Sequence, residues 1–171
     1  MIVSNWRKAI APILLSTVLL LSACSSKAPS PYAQTQKDTA GRNAPAAVAK
    51  NAEAGGDFNK FFPAGDAGFA RVFSQEKKGF AEAKLNKAGK NVAVLSISDT
   101  ISLPAAAKKY EKSTSQLSSY PLLDEAPLKS TGVLVNNRYQ VKVASRDPSF
   151  SAADRKTWLG KFNLDGLSKL K

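Results

Sequence analysis

The chain of 171 residues contains no histidine and only one cysteine, Cys24. Without imidazole there is no Ser–His–Asp or Cys–His nucleophile, and the usual zinc ligands are missing. A single thiol forms no disulfide within the chain. Acids are scarce as well, with 13 Asp and Glu against 25 Lys and Arg. A glycosidase needs only two carboxylates, but no pair here is forced together by helical spacing. Asp124-Glu125 reads as solvated acid in a proline-flanked loop, and Asp99, just after a strand, suits an Asx-turn or cap. Neither a Gly-rich phosphate cradle with its lysine nor a dinucleotide fingerprint is present. Gly65, Gly68 and Gly79 read as turns, and the sequence calls for no metal or cofactor.

Long apolar runs are also missing. Ile10 to Leu21 is the main one, interrupted by Pro12, and it falls short of the ~20 residues a spanning helix needs. It follows Trp6-Arg7-Lys8 and has the length of a secretory h-region. Small residues close it, in the order Leu21-Ser22-Ala23-Cys24. This stretch resembles the lipobox of bacterial lipoproteins. The resemblance implies that residues 1–23 are a signal peptide and that Cys24 becomes the acylated first residue, carrying palmitate or a related chain. The family attaches two or three chains, enough for stable anchoring. It also accounts for the lone thiol. Ser25-Ser26 follows the cysteine where an aspartate would imply retention at the inner membrane. In a Gram-negative cell the resemblance therefore implies the outer membrane, facing the periplasm.

Residues 24–57 are rich in Ala, Pro, Ser, Gln and Gly, with Tyr32 the one aromatic. Such a stretch buries too little to offset its ordering entropy and reads as a disordered tether. Residues 58–171 read as a single domain and hold 12 of the 14 aromatics. "FNKFFP" at its start offers two readings, an edge of the core or a contact with the bilayer interface.

Three strands are expected first, from Phe69, Phe80 and Asn91, separated by Glu76-Lys77-Lys78-Gly79 and Lys87-Ala88-Gly89-Lys90, where glycine supplies positive φ. Pro104 opens a short helix, and a looser passage holds Tyr120-Pro121 and Pro127. A second hairpin is centred on Asn136-Asn137 as a two-residue turn. Beyond it Tyr139, Val141 and Val143 alternate with Arg138, Gln140 and Lys142, marking a half-buried strand. Ser151 and Asp154 form a capping box for a helix whose Trp158, Leu159 and Phe162 share a face. "LDGLSKLK" is a short helical tail. These elements predict an α+β fold: an antiparallel sheet built from the meander and the second hairpin, one face covered by helix, including a C-terminal helix.

The net charge is +12, and residues 58–171 carry 19 basic and ten acidic side chains, a balance of +9. A field of this size favours anionic partners. Export and the lack of an interleaved aromatic platform argue against nucleic acid. The function expected is a membrane-anchored, non-enzymatic accessory or binding module. It docks by a basic surface to an acidic protein or an anionic envelope polymer. Two alternatives stand beside it: a carboxylate-only cell-wall hydrolase, and a carrier of a small apolar ligand. The expected docking face includes Arg138 and Lys142, which alternation puts on one side of the sheet, with Lys84 as a further member.

Overall fold

A computed structural model describes residues 48–170. Cys24, the signal sequence and most of the expected tether lie outside the described residues. Seven strands form one antiparallel sheet: β1 (Phe69–Lys77), β2 (Phe80–Lys87), β3 (Lys90–Asp99), β4 (Ser115–Leu117), β5 (Tyr120–Glu125), β6 (Ser130–Val135) and β7 (Tyr139–Ser145). Their order is β1-β2-β3-β7-β6-β5-β4. Two meanders therefore meet at the β3–β7 seam, and the sheet is α+β in class as the sequence predicts. Helices α1 (Pro104–Lys108), α2 (Ala152–Leu159) and α3 (Leu164–Ser168) complete the fold, with short 3₁₀ turns at Gly55–Phe61, Thr100–Ser102 and Ala126–Leu128.

Side-chain alternation gives the sheet two unlike faces. On one, Ala81, Ala83, Leu85, Ala93, Leu95, Ile97, Val133, Tyr139, Val141 and Val143 are buried. Above them lie the 3₁₀ helix Gly55–Phe61, α2 and α3, which supply Phe58, Phe61, Trp158, Leu159, Leu164 and Leu167 to the same core. Alanine at three of the strand positions keeps that surface low, which leaves room for aromatic rings. Phe62 meets Phe73 and Phe162, each at 5.3 Å between centroids, and Phe69 meets Trp158 at 5.3 Å. The "FNKFFP" aromatics thus belong to the core and not to a bilayer contact.

The turns follow local chemistry. Gly79 and Gly89 sit at φ 78° and 76° in the β1–β2 and β2–β3 turns, and Asn136 and Asn137 at φ 51° and 50°. The first of these turns is tighter than expected, because β1 runs on through Lys77, which pairs with Phe80. The capping box forms in full: Ser151 Oγ accepts from Asp154 N–H at 3.2 Å, and Asp154 Oδ2 accepts from Ser151 N–H at 2.7 Å.

Three expectations need correction. The passage around Tyr120-Pro121 is not a loop but β4 and β5. Asp124 and Glu125 therefore lie on a strand, opposite Thr131 and Ser130. The domain starts before Phe58, since Ala49 N–H donates to Ser102 Oγ at 2.8 Å. Ala52 is buried, and Gly79 N–H donates to Glu53 O at 2.6 Å. The end of the expected tether is thereby part of the domain.

Candidate binding face

The second face of the sheet carries no helical layer over β2 and β3. Its side chains form rows that run across the strands. One row is Val72–Lys84–Val94–Ala144–Ser130, the next Glu82–Ser96–Lys142–Gly132, and a third Phe80–Ser98–Gln140–Leu134. Lys84 and Lys142 are therefore on the same side. They lie two strands and one pleat repeat apart, about 12 Å between Cα atoms at ordinary sheet spacings.

Small residues at the row centres leave a concavity of about 310 Å³. Val94, Ser96, Ser98, Ser130 and Ala144 form its floor. Phe80, Glu82, Leu128, Lys142 and Arg146 stand around it. Lys84, Lys142 and Arg146 make no ion pair with any acid among the described residues. Glu82 is also without a cation; it accepts a hydrogen bond from Ser74 Oγ at 2.8 Å.

One end of this face is closed. Tyr110, just after α1, is buried over Gly132, and its hydroxyl accepts from Gln140 Nε2 at 3.0 Å. Burial pushes the phenol up to about 12. Only glycine fits beneath it, since a Cβ at position 132 would stand 2.4 Å from the Tyr110 oxygen.

Arg138, expected beside Lys142, is committed elsewhere. Val135 pairs with Tyr139, so Asn136, Asn137 and Arg138 all fall in the turn rather than two residues alone. The Arg138 guanidinium donates to both oxygens of Asp99, Nε to Oδ1 at 3.0 Å and Nη2 to Oδ2 at 2.7 Å. It also reaches Asn51 O at 3.1 Å. The Asp99 side chain is fully buried and accepts further from the N–H groups of Glu53 at 3.0 Å and Ile101 at 3.1 Å. The cap role read for Asp99 is present, but the residue also knots three segments together. Burial acts to raise its carboxyl pKa; the bonds from Arg138 and the two N–H groups outweigh that and hold it below the usual value.

Arg155 is buried under the core face. Its guanidinium donates to Thr131 Oγ1 at 2.8 Å, Ser145 Oγ at 3.0 Å and Asp124 Oδ1 at 3.0 Å. Asp124 is thereby a structural partner and not a free acid. Lys109 reaches Glu125 at 3.3 Å.

Of the three expected docking residues, the sheet brings Lys84 and Lys142 together and withdraws Arg138. Sequence reasoning missed Arg146 and Glu82. Both were within reach of alternation, Arg146 two residues past Ala144 and Glu82 two before Lys84. Among the described residues no cluster of three or more metal-ligating side chains occurs, and no helix is long and apolar enough to cross a membrane. No protein-family model, curated protein or solved structure matches the chain.

Proposed function

We propose that the chain is a lipid-anchored, non-enzymatic binding module that docks its open sheet face on an anionic, phosphate-bearing surface of the cell envelope. The observation that carries this reading is the placement of Lys84, Lys142 and Arg146 on one face with no acid paired to any of them. Some cations elsewhere in the domain are engaged: Lys90 with Asp147, Lys161 with Asp66, and Arg138 and Arg155 with their aspartates. Others, Lys60, Lys156 and Lys169 among them, are exposed on the helical side without lining a concavity with free hydroxyls. A surplus gathered on one face sets up an attractive field for phosphate. Arg146 offers a planar fork to it and the lysines point charges.

A hydrolase working by carboxylates needs two of them facing each other across a cleft. Each of the five concavities described has a single carboxylate in its lining. That favours binding over catalysis.

The anchor and the docking face are tested separately. Inhibiting the lipoprotein signal peptidase should leave an unprocessed precursor in membranes, and metabolic labelling with a palmitate analogue should mark the wild-type protein but not Cys24→Ser; a wild-type protein that takes up no label rules out the anchor. For docking, full-length protein is held in discs of neutral lipid and mixed with separate anionic vesicles. Co-flotation that weakens steeply with salt supports the reading, and no co-flotation even at low salt contradicts it.

A further inference from the structure

The concavity presents opposite charges on opposite walls. Glu82 and Lys142 occupy one row of the sheet with Ser96 between them, and Arg146 stands on the Lys142 side, further along the same strand direction. No ion pair joins Glu82 to either cation. Ser96, Ser98 and Ser130 bring hydroxyl groups to the floor; the Ser130 hydroxyl donates to Glu125 Oε2 at 3.3 Å, and none of the hydrogen bonds among the described residues uses the hydroxyls of Ser96 or Ser98. Phe80 and Leu128 give the rim an apolar part, and Leu128 is 63% exposed.

A simple anion satisfies the cations but meets the Glu82 carboxylate. A simple cation has the reverse difficulty. A zwitterion with an oxyanion and an ammonium a few bonds apart satisfies both walls at once. From this we infer that the concavity is a binding site for a phosphoethanolamine group. The phosphate sits between Lys142 and Arg146 and accepts from the Ser96 hydroxyl, which lies opposite Lys142. The ammonium donates to Glu82. The group is held as the headgroup of a phospholipid, whose glycerol and first methylenes lie against Leu128 on the Arg146 side. The site deepens the docking role proposed above and rests on the same face. It adds a specificity that charge alone does not supply.

Three features of the ligand are then required. Both charges must be present, because either alone leaves one wall unpaired. The ammonium must keep its N–H groups, because Glu82 accepts hydrogen bonds and a trimethylated head offers none. The charged groups contribute most of the affinity, since a hydrogen bond to an ion is the strong kind.

The test uses the full-length protein in neutral detergent, titrated with O-phosphoethanolamine and followed by amide NMR. Shifts should gather on Ser96, Ser98, Lys142 and Ala144. Phosphocholine, inorganic phosphate and ethanolamine should each bind about tenfold more weakly or not at all. Glu82→Gln and Lys142→Gln should each weaken phosphoethanolamine about tenfold. Both positions are at the surface of the sheet, so unchanged spectra elsewhere will show that these variants fold. In discs, ethanolamine phospholipid should reproduce the shifts at lower total ligand than the free headgroup, and choline phospholipid should not. Equal response to phosphoethanolamine and inorganic phosphate overturns the zwitterion assignment. So does full binding by Glu82→Gln. Free headgroup binding with no response to the lipid overturns the lipid source. Absent headgroup binding, with salt-sensitive docking on anionic vesicles intact, removes this site and leaves the docking role standing. Headgroup binding without docking does the opposite.

Discussion

Gly132 is the residue on which the closed end of the open face depends. A methyl group there meets the Tyr110 oxygen at 2.4 Å and the Val141 carbonyl at 3.1 Å, and overpacking of this kind costs about 1–3 kcal/mol. Gly132→Ala should lower stability by that amount in denaturant titration. Tyr110→Phe removes the oxygen and loses one hydrogen bond from Gln140, for about 1 kcal/mol. Combining the two should cost less than their sum, and strict additivity would mean that the contact does not matter. Asp99 carries a pH prediction. Its folded pKa lies below the usual 3.8, so its contribution to stability is complete above that value and is lost as pH falls through the folded value. Asp124, also held low against its burial by Thr131 and Arg155, adds in the same direction. Melting temperature should fall as pH drops below about 4, and Asp99→Asn should have a shallower acid slope than wild type. An unchanged slope would contradict the role given to this carboxylate. Part of the site was legible at this scale and part was not. Lys142 could be read because Tyr139, Val141 and Val143 fix its side of the strand. Arg138 has the same parity but leaves the ladder at the turn, and its true partner, Asp99, is 39 residues away.

At the scale of elements, the hairpins announced themselves where turn chemistry is local. Gly79, Gly89 and the Asn136-Asn137 pair each have the positive φ their residue types favour. β4 and β5 gave no such sign. The turn between them puts Ser118 and Ser119 at φ 49° and 70°, a conformation serine adopts only under constraint from its surroundings. Pro121 pairs opposite Gln116 in the outermost ladder without an N–H to offer, a residue that usually argues against a strand. What holds β5 is its pairing with β6, a contact that periodicity within the segment does not reveal. Helix α2 is the contrary case, an element defined by its own first turn. Ser151→Ala removes the oxygen that caps Asp154 N–H and should cost about 1 kcal/mol. The loss should appear as faster amide exchange from residue 153 to residue 155 before the sheet is affected. Uniform loss of protection across the domain would instead show that α2 does not fray independently.

For the molecule as a whole, the decisive fact is the seam between β3 and β7. It joins two meanders that are each readable alone, and it alone sets Lys84 beside Lys142 and Arg146. Alternation assigns a residue to a face of its own strand but not to a neighbour across the sheet, which is why the strand order and the full cation set were not legible. The proposed docking belongs to this face and not to the net charge of the protein. Two triple variants with equal charge separate these. One reverses Lys84, Lys142 and Arg146 to Glu on the open face; the other reverses Lys60, Lys156 and Lys169, all exposed on the helical side. Surface changes of this kind move stability by about half a kcal/mol each, so both variants should fold. The measurement is co-flotation of each full-length protein, held in neutral discs, with separate anionic vesicles at low salt. The open-face variant should lose docking while the helical-side variant retains most of it. Equal loss in both would show that net charge, and not the face, attracts the surface.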